Sequence, residues 1–356
     1  MEVRRDLAEG VALAVAAVLL LATACSSQAP SAARNSPEPA STPAAKPSAS
    51  ISASPLKTPH REWLNLTYAT VSPIEKLDLY TPIPRPGSEA SPGLVVYVHG
   101  GAWLPGEGDK ADLFSLTVVN FLLANGYATA SVDYRLSDEA HFPAQIEDVK
   151  TAVRWLRAHA SQYGYDGGKI TALGDSAGGQ LVALLGTSAG VSVLEGAQLG
   201  NPGVSSSVKA AIVLYPDINF LSEATWLSEI PACTGKFANP NLPGSAASKY
   251  LGGPVQSVPG QARAADPMTY LTPGRQLPEF LIAQGTQDCI VPYQGAVEFY
   301  DALIKAGGSS AAQLIMERGE GHYPDFNYPE LESPVIKLLR VTIGPGVEEA
   351  ENAGHD

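Results

Sequence analysis

The stretch Lys169-Ile170-Thr171-Ala172-Leu173-Gly174-Asp175-Ser176-Ala177-Gly178 decides the fold, because it joins an apolar run to a serine flanked by glycines. The apolar run predicts a strand, and the small apolar residues from Ala177 to Leu185 predict a buried helix. Ser176 lies on the turn between them, at the centre of a Gly-x-Ser-x-Gly pattern. Such a turn exposes the serine hydroxyl above the strand ends, and the first N–H groups of the helix face developing negative charge. We interpret Ser176 as a catalytic nucleophile.

Strands alternate with helices on both sides of this turn. The predicted strands are Leu94–Val98, Ala128–Val132, Ala210–Leu214, Phe280–Ala283 and Gln313–Met316. Apolar residues on one face predict a helix over Ile146–His159. Continuous apolar strands separated by helices indicate an α/β protein with a mostly parallel central sheet and helices on both faces. Ile218–Asp266 is rich in Pro, Gly, Asn and Ser, and predicts an irregular excursion, either over the active site or packed elsewhere on the surface.

A serine nucleophile needs a base, and His322 is the candidate. In serine hydrolases with this strand–turn–helix motif, the acid and then the base follow the serine in the chain. The two histidines after Ser176 are His322 and His355. His355 lies in the terminal tail, whereas His322 follows the predicted strand Gln313–Met316, so His322 is assigned as the base.

Asp288 is the candidate for the acid that orients the base. It follows the predicted strand Phe280–Ala283, which puts it at the carboxyl edge of the sheet, where folds of this class bind ligands. Asp266 and Asp325 are weaker candidates, because neither follows a strand and a turn in this way.

The oxyanion of the tetrahedral intermediate needs hydrogen-bond donors. The stretch His99-Gly100-Gly101-Ala102-Trp103 follows the predicted strand Leu94–Val98, and its glycines let the backbone approach a substrate. We predict the N–H groups of Gly101 and Ala177 as donors, with Gly100 or Ala102 as a third.

Two larger side chains of the same stretch are assigned supporting roles. We expect His99 to hold the loop by hydrogen bonding. Trp103 is predicted either to form a wall of the acyl or alcohol pocket or to pack in the core.

The motifs together resemble the hormone-sensitive-lipase-type esterases and the neighbouring bacterial feruloyl-esterase-like (BD-FAE-type) hydrolases. The matching pieces, in chain order, are His99-Gly100-Gly101, Val132-Asp133-Tyr134-Arg135-Leu136, Phe142-Pro143-Ala144, Gly174-Asp175-Ser176-Ala177-Gly178-Gly179, Lys249-Tyr250-Leu251-Gly252-Gly253, Asp266-Pro267-Met268-Thr269-Tyr270, the Asp288 loop and Gly321-His322. The resemblance covers about Leu77 to Leu339. It implies the α/β-hydrolase fold and a triad of Ser176, Asp288 and His322, without a metal or an organic cofactor.

One departure from the lipase-type pattern bears on the substrate. That branch has a third glycine after His-Gly-Gly, and Ala102 stands at this position. His-Gly-Gly-x-Trp resembles the feruloyl-esterase and arylformamidase branches more closely, which argues against long-chain lipid substrates.

Composition limits the class of partner. The 356-residue chain has 45% hydrophobic residues, 17% charged residues and a formal net charge of −13, with a pI of about 4.9. This supplies a large core, and the acidity argues against nucleic acid or anionic lipid headgroups as partners.

The N-terminus predicts export. Arg4 and Arg5 precede the apolar run Val11–Ala22, which has the length of a signal-peptide core and is too short for a membrane anchor. Ala22-Thr23-Ala24-Cys25 resembles a lipobox, which would make Cys25 a lipidated N-terminus and the protein a surface lipoprotein; simple secretion is the alternative. We predict four parts: a signal peptide (1–24), a disordered Ser/Pro/Ala-rich tether (25–60), the hydrolase domain (61–344) and an acidic tail (345–356).

Two further cysteines, Cys233 and Cys289, are predicted to form a disulfide in the oxidising compartment that export implies. Cys289 follows Asp288 directly, so a bridge would hold the acid loop. Two unpaired buried thiols are the alternative.

The sequence therefore predicts a serine esterase that forms an acyl-enzyme on Ser176. The expected substrates are small-molecule esters with short acyl groups or esters on polysaccharides, and the expected membrane contact is the lipid anchor alone. Amide cleavage with the same triad, as in an amidase, peptidase or arylformamidase, is the second hypothesis. A non-catalytic surface binding protein is the third.

Overall fold

A single sheet of eight strands organises the part of the chain that the computed structural model describes, residues 56–83, 91–233, 239–272, 274–322 and 329–347. The strands are β1 His60–Thr67, β2 Lys76–Pro82, β3 Leu94–Val98, β4 Ala128–Val132, β5 Ile170–Asp175, β6 Ala210–Leu214, β7 Glu279–Gly285 and β8 Ala312–Glu317. Their order across the sheet is β1-β2-β4-β3-β5-β6-β7-β8. β2 pairs antiparallel with β1 and with β4, and all other pairings are parallel. This is the mostly parallel sheet that the sequence predicts.

Helices cover both faces of the sheet. They are α1 Leu113–Ala124, α2 Ala144–Tyr163, α3 Ser176–Thr187, α4 Phe220–Glu229, α5 Ala246–Leu251, α6 Pro259–Ala265, α7 Tyr293–Gly307 and α8 Pro329–Ile343. Successive residues of β3 point to opposite faces, so Val96 packs in a core with α2, α3 and α7, whereas Val95 packs in a second core with α1 and α8. Burial on both faces is why β3 and β6 read as unbroken apolar runs, whereas the equally buried β4 includes Thr129 and Ser131.

The register aligns the carboxyl ends of the central strands. Val98, the last residue of β3, lies opposite Val132 in β4 and Gly174 in β5. The segments that leave β3, β5, β6, β7 and β8 therefore emerge at one edge of the sheet. Functional side chains can converge there although they are far apart in the chain.

The predicted strands and both predicted helices are present, with bounds that differ by a few residues. The excursion Ile218–Asp266 differs from its prediction. The sequence predicts an irregular segment, but the structure contains three helices there, α4, α5 and α6. Some of the excursion's Pro, Gly and Ser residues lie at helix ends: Ser245 caps α5, Gly252 ends it in the left-handed conformation, and Pro259 starts α6.

The folded part also extends slightly beyond its predicted bounds of 61 and 344. Leu56 is buried against Tyr80, Val119 and Leu123, inside the stretch assigned to the tether. At the other end, the N–H of Val347 donates to the carbonyl of Gly126, at 3.1 Å.

The predictions for the N-terminus lie outside the described residues. These are the signal peptide, lipidation at Cys25 and the tether up to residue 55, and they stay predictions. The acidic tail from residue 348 also lies outside. None of the helices described is long and apolar enough to cross a membrane.

Candidate active site

Ser176 lies on a tight turn between β5 and α3. Its φ of 51° is in the left-handed region, which is unfavourable for a residue with a side chain and is maintained by the surrounding packing. A Cβ on Gly178 would overlap the carbonyl oxygen of Val98, and one on Gly174 would overlap the carbonyl oxygen of Gly178. The two flanking glycines are therefore needed for α3 to pack this closely against the sheet.

The structure brings Ser176, His322 and Asp288 together. Ser176 Oγ lies 3.0 Å from His322 Nε2, and His322 Nδ1 lies 2.7 Å from Asp288 Oδ2. The side chain of His322 is 3% exposed and that of Asp288 is fully buried. The ring of Tyr215 packs edge-on against the imidazole, with centroids 4.8 Å apart. The imidazole thus bridges hydroxyl and carboxylate, the geometry that proton transfer from a serine requires.

The Asp288 carboxylate is fixed by its own loop. Oδ1 accepts hydrogen bonds from the N–H groups of Ile290 (2.8 Å) and Val291 (2.9 Å). Oδ2 accepts from Gln284 Nε2 at 2.9 Å, beside its contact with His322. Both oxygens are satisfied, which offsets the cost of burying the charge and sets the orientation of the carboxylate toward the imidazole.

Cys233 and Cys289 form a disulfide next to this carboxylate. The Cys233 sulfur also lies 3.6 Å from the carbonyl oxygen of Asp288. The bridge joins the end of the α4 region to the acid loop across 56 residues of chain.

Reduction of this disulfide is expected to weaken both stability and activity. For a closed loop of 56 residues, the chain-entropy argument gives a loss of roughly 4 kcal/mol in the free energy of unfolding. The melting temperature and kcat/KM for p-nitrophenyl acetate, measured with and without dithiothreitol, test this. The double variant Cys233→Ser/Cys289→Ser is the control, because dithiothreitol should leave it unchanged. If thiol titration shows that the wild-type disulfide is reduced and the melting temperature is nevertheless unchanged, the bridge adds no stability.

The four residues predicted to supply oxyanion donors fall into two pairs, two that line the pocket and two glycines that are closely packed. Ala102 and Ala177 line the same pocket as Ser176, and the N–H of Ala177 belongs to the first turn of α3, where N–H groups lack intrahelical acceptors. A Cβ on Gly101 would lie 2.7 Å from the backbone of Gly108, and one on Gly100 would overlap the Asp175 carboxylate. Gly100 and Gly101 allow the loop to pack closely, and Ala102 and Ala177 line the pocket beside the nucleophile.

Contacts with Tyr134 hold the loop of residues 99–103 that carries the predicted oxyanion residues. The His99 ring stacks on Tyr134 with centroids 4.5 Å apart, and His99 Nδ1 lies 2.8 Å from the carbonyl oxygen of Gly100. The Tyr134 hydroxyl donates to the carbonyl of His99 at 3.0 Å. These contacts match the supporting role predicted for His99.

A pocket of about 300 Å³ opens at Ser176. Trp103 lines it and is 2% exposed, stacking on Tyr250 with centroids 4.2 Å apart. Trp103 is therefore both a pocket wall and a core aromatic. The excursion adds a second wall, which includes Pro240 and Ala246.

Two acidic residues of this pocket, Asp217 and Glu223, were missed by the sequence analysis. Asp217 follows β6 at the same sheet edge as the triad, a signal that could have identified it; no local signal marks Glu223. Burial, followed by the nearby Asp288, raises the pKa of Asp217 to about 7, and burial and Asp217 raise that of Glu223 well above its usual value. Across the described residues, no group of three or more His, Cys, Asp or Glu is arranged to hold a metal ion.

Tyr97 and Asp175 form a second buried contact that sequence reasoning did not anticipate. The Tyr97 hydroxyl donates to Asp175 Oδ1 at 2.6 Å, directly below the serine turn. Burial raises the pKa of Asp175 to about 6, although this hydrogen bond opposes the shift. The pair anchors the residue that precedes the nucleophile.

Comparison with known proteins agrees with this geometry. A family model described as BD-FAE matches residues 77–303, more than half of the chain. The chain belongs to the BD-FAE family. The resemblance seen in the motifs of this BD-FAE chain is confirmed, and so is the α/β-hydrolase fold.

Relatives of this BD-FAE protein are named as esterases. Esterase LipC of Mycobacterium tuberculosis is 29% identical over 250 residues, which are 70% of this chain and 57% of LipC. A truncated carbohydrate esterase from gut microbiota has 25% identity and a TM-score of 0.68, covering 79% of this chain and 95% of that one. A bifunctional GH43-CE protein of Bacteroides eggerthii has 28% identity and a TM-score of 0.65, covering 80% of this chain and 35% of that one. The chain thus spans a little over half of LipC.

Proposed function

We propose that this protein is a carboxylic ester hydrolase that acts through an acyl-enzyme on Ser176. The observation that carries the proposal is the continuous contact from Ser176 Oγ to His322 Nε2 (3.0 Å) and from His322 Nδ1 to Asp288 Oδ2 (2.7 Å). Membership of the BD-FAE family supports it, as do relatives named esterases.

The first half of the reaction forms the acyl-enzyme. His322 Nε2 takes the hydroxyl proton as Ser176 Oγ attacks the ester carbonyl, and Asp288 stabilises the charged imidazole. In this mechanism the N–H groups of Ala177 and Ala102, two residues that line the pocket of Ser176, stabilise the oxyanion. The intermediate collapses when the ester C–O bond breaks and His322 donates the proton to the leaving alcohol.

Water completes the cycle. His322 removes a proton from a water molecule that attacks the acyl carbonyl, and the second tetrahedral intermediate releases the carboxylic acid. The proton returns to Ser176 Oγ through the same imidazole, so the enzyme ends in its starting state.

The pocket favours small substrates. A cavity of about 300 Å³ between Trp103 and the excursion accommodates a short acyl chain or one sugar-sized group. We propose short acyl esters or esters attached to polysaccharides as substrates, and the carbohydrate esterases among the structural neighbours support the second class.

The proposal is tested by ester hydrolysis and active-site labelling of the purified protein. We expect turnover of p-nitrophenyl acetate and butyrate, a much lower rate with decanoate because the pocket is short, and labelling by a fluorophosphonate that peptide mapping places on Ser176. Matched p-nitroanilides test the amidase alternative. Preferential cleavage of the anilides would replace the esterase assignment, and neither turnover nor labelling would favour a binding role.

A further inference from the structure

The pocket at Ser176 has a polar wall that the proposed mechanism does not use. Asp217 and Glu223 both line it, and only 8% of the surface of Asp217 and 7% of that of Glu223 is exposed. Asp217 follows β6, and Glu223 lies in the first turn of α4. Neither contacts the triad by a hydrogen bond in the described structure.

Polar atoms of this wall are buried without partners. Among the residues described, no group forms a hydrogen bond to Asp217 Oδ1, Glu223 Oε2 or Trp103 Nε1. Trp103 lines the same pocket and is 2% exposed. Buried polar atoms cost stability unless they are hydrogen-bonded, so three such atoms on side chains that line one cavity point to a ligand that satisfies them.

The protonation states define what that ligand must offer. Burial and Asp217 raise the pKa of Glu223 well above its usual value, which favours the protonated carboxyl group, the form that can donate a hydrogen bond. The pKa of Asp217 lies at about 7, because of burial and of Asp288, so its ionised form accepts in the same wall. With Glu223 in its protonated form, the side chains of Glu223 and Trp103 supply two donors and the carboxylate of Asp217 supplies an acceptor.

A hydroxyl group matches this wall. It can accept from Glu223 or Trp103 and donate to Asp217 at the same time. An ammonium group cannot accept, so it would leave the indole N–H and the protonated carboxyl unsatisfied. A carboxylate cannot donate and would be repelled by ionised Asp217.

We propose that Asp217, Glu223 and Trp103 form a subsite that binds a hydroxyl group of the ester substrate and selects hydroxyl-bearing esters. This inference rests on the proposed esterase function, because the subsite lies in the pocket of Ser176. It identifies which side chains discriminate between substrates, beyond the triad that performs the reaction.

Two pairs of esters test the subsite at neutral pH, with acid release measured in a pH-stat. Glycerol 1-acetate against propyl acetate places hydroxyls on the alcohol part, and ethyl 3-hydroxybutyrate against ethyl butyrate places one on the acyl part. We expect wild-type kcat/KM to favour the hydroxylated member of at least one pair by about tenfold or more, because an analogue that lacks the hydroxyl leaves buried polar groups unpaired.

The variants Asp217→Ala, Glu223→Leu and Trp103→Phe should lower that ratio toward one. Trp103→Phe keeps an aromatic ring against Tyr250 while it removes the N–H, so it remains informative if a carboxyl variant folds poorly. Glu229→Gln is the matched control, because Glu229 is exposed on the same helix as Glu223, and its ratio should equal that of the wild type.

Equal wild-type kcat/KM within both pairs would overturn the subsite and leave the esterase proposal intact. A hydroxyl preference that survives in all three variants would do the same. Preference for acetylcholine over both acetates, lost in Asp217→Ala, would show that the wall binds positive charge and would also overturn it. Hydrolysis of none of these esters would contradict the proposed function itself.

Discussion

Ser176→Ala is expected to lower kcat for p-nitrophenyl acetate by a factor on the order of 10⁴ or more. In the proposed mechanism, the variant lacks the atom that forms the acyl-enzyme, whereas the proposed oxyanion donors and the pocket remain. Residual turnover should therefore come from water attack on bound ester, without a burst of p-nitrophenol. Stopped-flow and steady-state measurements on both proteins, with fluorophosphonate labelling as a second readout, test this.

A matched control separates chemistry from folding. Ser161 is an exposed serine on α2, so Ser161→Ala should retain wild-type kcat and labelling. The circular dichroism spectrum and melting temperature of Ser176→Ala should match those of the wild type, because alanine removes one hydroxyl at a residue that is 7% exposed. A folded Ser176→Ala protein with wild-type activity would eliminate the acyl-enzyme mechanism.

The triad could be predicted because each member follows a strand that the sequence reveals. Val95 and Val96 face different cores, so β3 reads as an unbroken apolar run, as does β6. Once a parallel sheet is predicted, the residues after its strands must share one edge. Ser176, Asp288 and His322 each follow a strand in this way, and the structure brings them into contact.

Glu223 could not be predicted as a pocket residue by the same reasoning, although Asp217 follows β6 at the triad's edge of the sheet. Glu223 reaches the pocket because α4 folds over the sheet edge, and this packing depends on contacts between segments that are distant in the chain. The edge strand β1 was also missed, since its mixed buried and exposed residues give no continuous apolar run. Local patterns therefore predicted the residues at the ends of buried strands better than those that reach the pocket from the helices of the excursion.

The second large effect is expected for Asp288→Asn, with kcat/KM for p-nitrophenyl acetate lower by about 10³- to 10⁴-fold. The wild-type carboxylate only accepts: from Ile290 N–H and Val291 N–H at Oδ1, and from Gln284 Nε2 at Oδ2, where it also meets His322. An amide cannot reproduce this set. If the amide oxygen accepts from the two backbone N–H groups, the amide NH₂ group faces His322 Nδ1. Nδ1 must then accept a hydrogen bond, so the imidazole proton lies on Nε2. A protonated Nε2 cannot take the proton of Ser176. If the amide flips, its NH₂ group opposes two backbone N–H groups.

Asp266→Asn tests whether Asp288 is the acid and not the alternative carboxylate considered from the sequence. Asp266 Oδ1 accepts from the N–H of Met268 at 2.9 Å, at the start of a 3₁₀ turn, and an asparagine oxygen can accept the same bond. Its kcat/KM should therefore stay within about twofold of the wild type, since substitutions away from such sites have small effects. Loss of activity in Asp266→Asn, together with an active and folded Asp288→Asn, would reverse the assignment of the acid. Comparable losses in both would indicate that a general loss of stability, and not the tautomer of His322, explains the effect of Asp288→Asn.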